Sequence, residues 1–438
     1  MSRRATYENK SLKASFREGI FASAMTGFTQ EYFVPFLLLL GGTVRHVAFL
    51  SALPNLIASL VQVKSADITE RLNSRRRAIT TFVFLQSITL FFISLYAASG
   101  KMMPFLFIGL AILFTSFGAV ANPAWGSLMS DLVPRDKRGR YFGWRNRTLG
   151  FVMVGSMFLA GIILNLMKKV NAFHGFAILF GAAFLWRGAS WYFLNKMEDV
   201  RLDNSRRNHF TFIQFISRLR ESNFAKFVLF VSLMNFSVNI ASPYFSVLML
   251  KELQFSYLLY TVITLTATLT IYITISRWGM FADSAGNLKI IRLTSPLIGI
   301  IPLLWVINRN PLFLVCAQIA SGFLWAGFNL CSSNFIYDAV TPEKRTRCIA
   351  YFNTFNGTAL CIGALCGGFL LPLLPPIFGY RILSLFVISS FLRIIIGVYL
   401  PRRLKEVRPI QKMRSHEIFS GMIGIKPLLG VERKTIRY

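Results

Sequence analysis

Twelve stretches of about 20 mainly apolar residues follow one another through the 438 residues of this chain, the length a helix needs to cross a hydrocarbon layer. They fall near 19–41, 46–66, 78–98, 103–128, 148–167, 173–195, 224–249, 255–275, 289–308, 312–334, 349–371 and 381–400. Lipid offers no partner to an unpaired backbone N–H or C=O, so each stretch must close its hydrogen bonds internally as a helix. The composition, 54% hydrophobic with a mean hydropathy of +0.53, exceeds what a soluble core requires. The fold class is therefore an all-α membrane protein with twelve transmembrane helices.

The net charge is +30, which in a soluble chain would suggest nucleic acid. Here the basic residues lie between the apolar stretches. If the N-terminus is cytoplasmic, 39 of the 48 Lys and Arg fall in cytoplasmic segments, seven in the opposite loops, and two, Arg187 and Arg393, within spans. Basic residues accumulate on the cytoplasmic side of membrane proteins, so the expectation is a multi-pass protein of the cell (inner or plasma) membrane with both ends inside and no nucleic-acid partner. The first apolar run carries Glu31 and lacks a small-residue cleavage site, so it is not read as a cleavable signal. The five cysteines have no paired spacing and no neighbouring His and read as small buried hydrophobes.

A polar segment repeats at nearly half the chain length. Residues 122–150 shifted by 207 align with 329–357, and eight positions coincide: Asn122/Asn329, Asp131/Asp338, Val133/Val340, Lys137/Lys344, Arg138/Arg345, Arg140/Arg347, Asn146/Asn353 and Gly150/Gly357. Most of these are polar, where agreement between two apolar helices cannot arise from composition. Two equivalent halves follow. The divisions are an N-tail (1–18), a six-helix bundle (19–195), a linker loop (196–223), a second six-helix bundle (224–400) and a basic tail (401–438) whose scattered apolar residues suit either an anionic leaflet or a partly disordered segment.

The loops carry a resemblance. After the eighth span, Gly279, Asp283, Gly286 and Lys289 stand at the spacing G-x-x-x-D-x-x-G-x-x-K/R. After the second span, Ala66, Glu70, Asn73, and the run Arg75-Arg76-Arg77 take the corresponding places, with Arg71 beside the acid. The run Pro134 to Arg140 follows the fourth span. These motifs and the two six-span halves resemble the major facilitator superfamily over residues about 15 to 400. The resemblance implies two six-helix bundles, with spans one, four, seven and ten lining a central cavity and spans three, six, nine and twelve outside. It also implies a gating role on the cytoplasmic side for Glu70, Arg71, Arg75, Arg138, Arg140, Gly279, Asp283, Gly286, Lys289, Arg345 and Arg347. The plain alternative is that these loops are solvated and set topology. Asn73 tolerates the left-handed turn that Gly286 would make.

Polar residues inside spans are costly and face protein or water. Span one offers Gln30 and Glu31. Span four offers Thr115, Asn122 and Trp125; span seven Asn235, Asn239 and Ser242; span ten Gln318, Ser321, Trp325 and Asn329, each at helical spacing. They line a cavity or glue helices together. The substrate or coupling candidates are Gln30, Glu31, Asn122, Asn235, Asn239, Gln318, Trp325 and Asn329. Arg187 and Arg393, near the ends of spans expected to be peripheral, read as structural residues that snorkel. Gly363 and Gly367 form a small-xxx-small pair for close packing.

The four His are dispersed and no phosphate-cradling loop occurs, so neither an enzyme nor a nucleotide-driven pump is expected, and no cofactor or metal. The reading is a monomeric secondary transporter of a small molecule by alternating access, with Glu31 as the candidate proton-coupling residue and uniport if Glu31 is structural. An Asp or Arg pair in the cavity would argue for a charged solute; the few cavity charges visible favour a neutral, zwitterionic or amphipathic one. A lipid flippase and a non-transporting membrane sensor are the alternatives.

Overall fold

The structure, a computed structural model, describes residues 3–133, 138–199, 222–340 and 342–407, with the side chains of all but 3–9, 66, 138–140, 342–347 and 350. Most of the linker loop and of the basic tail therefore lies outside the described residues.

Eleven of the described helices are long and apolar enough to cross a membrane. The twelfth span, the first in the chain, is not one helix but two. α1 (Arg3–Thr29) and α2 (Phe33–Leu39) are separated by a turn at residues 30–32, a correction to the single span expected over 19–41. α1 also begins well inside what the sequence assigned to the N-tail. Spans two to six are α3 (Val44–Val63), α5 (Arg75–Ala98), α6 (Pro104–Leu132), α7 (Arg138–Met167) and α8 (Ala172–Asn195), with a short α4 (Ser65–Arg71) after span two. Span seven combines α9 (Asn223–Ala241), α10 (Tyr244–Val247) and a π-turn at Leu248–Glu252. Spans eight to twelve are α11 (Tyr257–Ala285), α12 (Asn287–Ile307), α13 (Pro311–Ala339), α14 (Pro342–Leu370) and α15 (Arg381–Tyr399). The hydroxyls of Ser74, Ser222 and Ser256 and the amides of Asn171 and Asn310 accept from the first free backbone N–H groups of the helices that follow them.

The packing has the internal symmetry that the repeat implies. In the first half α1 lies on α8 and α7, α3 on α6, and α5 on α6 and α8. In the second half α9 lies on α15 and α14, α11 on α13, and α12 on α13 and α15: the same pairs, six spans later. The halves meet along α3 with α14 and along α7 with α11, again a symmetric pair.

Single residues repeat the pattern. Asp131 at the end of span four accepts from Arg75 Nη1 at the start of span three, and Asp338 at the end of span ten accepts from Asn287 Nδ2 at the start of span nine, 2.8 Å away. Asp199, just after span six, accepts from the Ser74 hydroxyl and the Arg76 N–H; Glu406, 207 positions later, accepts from the Leu288 N–H at 2.7 Å. Each half thus caps its third helix with an acid from the end of its sixth. Arg187 and Arg393 are also counterparts. Arg393 Nη2 reaches the Val238 carbonyl at 3.1 Å and its Nε reaches Ser389, tying span twelve to span seven.

The repeat glycines sit where the halves touch. A Cβ on Gly150 would lie 2.5 Å from the ring of Tyr272 in α11, and one on Gly357 would lie 2.6 Å from Ser59 Oγ in α3. Gly363 and Gly367 bring α14 against the carbonyls of Phe236 and Ile240 in α9, where a Cβ would be 2.3 and 2.2 Å away. At the end of the bundle away from the termini, one apolar core joins both halves through Phe36, Leu37, Tyr244, Val247 and Leu248. Toward the termini, each half has its own cluster, around Leu128 and Met129 in the first and Phe227 and Phe335 in the second. The outward faces present Phe92, Leu185 and Phe391 in the manner of a lipid-facing surface. Of the cysteines, Cys331, Cys348 and Cys361 are buried, Cys366 is half-buried, and Cys316 is exposed, against the expectation that all would be buried.

Candidate functional site

The break in span one has a local cause. Pro35 has no N–H, so the carbonyl of Glu31, four residues earlier, cannot receive its helical hydrogen bond. That carbonyl instead accepts from the hydroxyl of Tyr260 in α11, at 2.7 Å. The neighbouring Tyr32 hydroxyl donates to the Met157 carbonyl of α7 at 2.6 Å and lies 2.9 Å from Thr261 Oγ1. Irregular backbone at membrane depth is tolerated where protein re-satisfies the freed groups; here Tyr260 of the second half does so, and Thr261 beside it holds the Tyr32 hydroxyl. The turn directs Gln30 and Glu31 into a cavity of about 720 Å³. Among the described residues, no side chain pairs with the half-buried Glu31 carboxylate.

The cavity is lined by spans one to seven. Its polar lining includes Asn55 of α3, Thr115 and Asn122 of α6, and Asn239, Ser242 and Ser246 from span seven of the other half. Toward the termini it is bounded by a charged cluster that the sequence reading missed. Glu18 of α1 accepts from Arg145 Nη2 of α7 at 3.1 Å and from the Ser190 hydroxyl of α8 at 3.3 Å. Arg187 of α8 donates from Nε to Gln86 Oε1 at 2.7 Å and from Nη1 to Ser190 at 3.3 Å. Arg145 also donates to the Ser15 carbonyl, and its guanidinium lies 4.6 Å from the Trp125 ring centroid. Glu18, Arg145 and Arg187 are all buried and all line the cavity.

Of the eight substrate or coupling candidates, the structure brings four, Gln30, Glu31, Asn122 and Asn239, to this cavity. Asn235 instead donates to Asn356 Oδ1 at 2.6 Å, joining spans seven and eleven. Gln318, Trp325 and Asn329 of span ten are not among its lining residues, and Trp325 packs edge-on against Phe328. Arg187, expected to be peripheral and structural, lies on the cavity wall because span six turns that face toward span one.

Among the gating candidates, Glu70 and Arg71 close α4, and Asn73 and Gly286 take the left-handed turns at φ 48° and 87°. Arg75 is buried and pairs with Asp131 of its own half. Gly279 sits in α11, Asp283 is exposed near its end, and Lys289 lies in the first turn of α12. The side chains of Arg138, Arg140, Arg345 and Arg347 lie outside the described residues.

A family model described as Major Facilitator Superfamily matches residues 19–307 and 227–431, and the chain belongs to that family. It is a multi-pass membrane protein of a family of transporters. No curated protein matches the sequence. Solved structures share the fold. The nucleoside transporter NupG matches with a TM-score of 0.66 at 12% identity, over 91% of this chain and 100% of its own. The human organic anion transporter MFSD10 (TETRAN) matches at 0.62 and 14%, over 90% and 99%. A POT family transporter in complex with a thioalcohol-conjugated peptide matches at 0.69 and 11%, over 88% and 94%. At these identities the likeness speaks for the fold alone.

Proposed function

We propose that this member of the Major Facilitator Superfamily is a secondary transporter that moves a small solute by alternating access, with a proton carried on Glu31 as the coupling ion. The observation that supports this most is the broken first span. It sets a carboxylate with no described side-chain partner on the wall of a cavity that polar groups from both halves line. Discontinuous helices at the midplane supply such sites in secondary transporters. The same turn is hydrogen-bonded across to α11 through its backbone, so Glu31 lies beside a contact between the halves. The cytoplasmic placement of both ends rests on the distribution of Lys and Arg, and the membrane is the inner or plasma membrane. The protein acts as a monomer.

The test is reconstitution into liposomes. Wild-type protein exchanges a labelled solute of one class in counterflow and accumulates it when an inward proton gradient is imposed. Glu31→Gln keeps counterflow and loses gradient-driven accumulation. Accumulation undiminished in Glu31→Gln would remove Glu31 from coupling, and absence of counterflow for every solute class would remove the transporter reading.

A further inference from the structure

Among the described residues, the charged ones lining the cavity are Glu18, Arg145, Arg187 and Glu31. They are segregated. Three cluster toward the termini, and Glu31 lies thirteen residues along span one from Glu18, roughly 20 Å of helix. In the cluster two guanidiniums face one carboxylate. Two guanidiniums carry ten N–H donors, and only four hydrogen bonds from them occur among the described residues: two from Arg145 and two from Arg187. Among the described residues, Arg145 Nε is buried without a hydrogen-bond partner, and neither Arg145 Nη1 nor Arg187 Nη2 has one. An unmatched buried cation is costly, and a buried charge is ordinarily paired. The wall is thus short of one anion, and the cavity beside it, about 720 Å³, is large enough for a small organic molecule.

We infer that this wall is an anion subsite and that the transported solute carries a carboxylate. Guanidinium recognises a carboxylate through two parallel N–H···O bonds. Trp125, stacked on Arg145, restricts the guanidinium and offers an apolar face to the solute's body. With a proton on Glu31 the four lining charges sum to one positive, which a monoanion cancels. Proton and solute then cross together as a neutral pair. Glu18 holds Arg145 while the site is empty and competes with the solute for it. The inference rests on the transporter reading for its cargo; the binding site stands by itself.

The experiment is thermal unfolding of the full chain in detergent with matched probes: acetate, lactate, hexanoate and benzoate, each against its primary amide, with lysophosphatidylglycerol as a lipid arm. A ligand that binds only the folded state raises the melting temperature. The expected result is a rise with at least one carboxylate and none with its amide. Glu18→Gln, which removes the competing acid, strengthens that carboxylate's effect. Arg187→Gln weakens its affinity about tenfold or more, as loss of a charge-assisted hydrogen bond predicts. Three results would overturn the inference: equal shifts by acid and amide, no shift with any carboxylate, or a shift with lysophosphatidylglycerol alone, which would give the site to a lipid headgroup. The wild-type comparison decides even if a variant does not fold. Carboxylate binding without counterflow of any solute would leave the subsite and end the transporter reading; counterflow of an uncharged solute without carboxylate binding would do the reverse.

Discussion

The Tyr260 hydroxyl donates to the backbone carbonyl of Glu31 at 2.7 Å, across the boundary between the two halves. The carbonyl is free because Pro35 lacks the N–H that would otherwise occupy it. One proline thus breaks span one, turns Glu31 into the cavity and supplies the acceptor for a contact between halves.

Removing the donor tests the contact. Tyr260→Phe leaves the ring in place and strands a buried carbonyl. It is expected to lower stability by about 1–3 kcal/mol and to increase labelling of cysteines placed on the cavity side of α2. Unchanged melting and labelling would show that the contact does not hold the halves.

Restoring the N–H tests the break. Pro35→Ala lets residue 35 bond the Glu31 carbonyl and draws residues 30–32 toward helix. Backbone hydrogen exchange at 30–36 should slow and transport should fall while the protein remains folded. Exchange as fast as in the wild type would place the cause of the break elsewhere.

The glycine pair reports on the interface. Gly150→Leu drives a side chain into Tyr272, whose ring an added Cβ would already meet at 2.5 Å. The expected cost is about 1–3 kcal/mol, typical of overpacking, together with a shift in the balance of conformations. Gly155→Leu, where nothing lies within 4 Å of an added Cβ, serves as the control. Equal melting temperatures for the two variants would contradict the tight contact.

Asp131→Asn leaves the buried Arg75 without its charged partner. Asp131 is 42% exposed, so water compensates in part, and the cost is expected at roughly 1–2 kcal/mol rather than that of a fully buried pair. The chemical-denaturation midpoint in detergent measures it, and a stability equal to wild type would mean that Arg75 is held by Ser127 and solvent instead.

The spans were legible because apolar length alone sets them, and the two halves because Asn122–Gly150 repeats at 207. Glu31 was legible as a carboxylate in lipid. The break beside it was not read, although Pro35 inside an apolar run was its signal. The Glu18, Arg145, Arg187 cluster was hidden for a different reason. Its residues come from three spans, and each has an ordinary local explanation: Glu18 in a charged tail, Arg145 among topology-setting basic residues, Arg187 as a snorkelling side chain. Only packing of α1 on α7 and α8 brings them together. The Asp199 and Glu406 caps share the 207 offset but lie outside the repeated segment. Conversely, the span-seven stripe divides: Asn239 reaches the cavity and Asn235 spends its amide on Asn356.

Alternating access governed by Glu31 can be measured without knowing the solute. Spin labels at Lys64 and Lys405, one in each half on the side of the termini, form one pair; labels at Lys101 and Leu312, on the opposite side, form the other. All four positions are exposed. In a cysteine-free background in nanodiscs, pulsed electron–electron distances are taken for each pair at neutral and acidic pH. The account expects two populations at each end, reciprocal between ends, that redistribute on acidification in the wild type and stay fixed in Glu31→Gln. A single unchanging distance at both ends, or the same redistribution in Glu31→Gln, would contradict it.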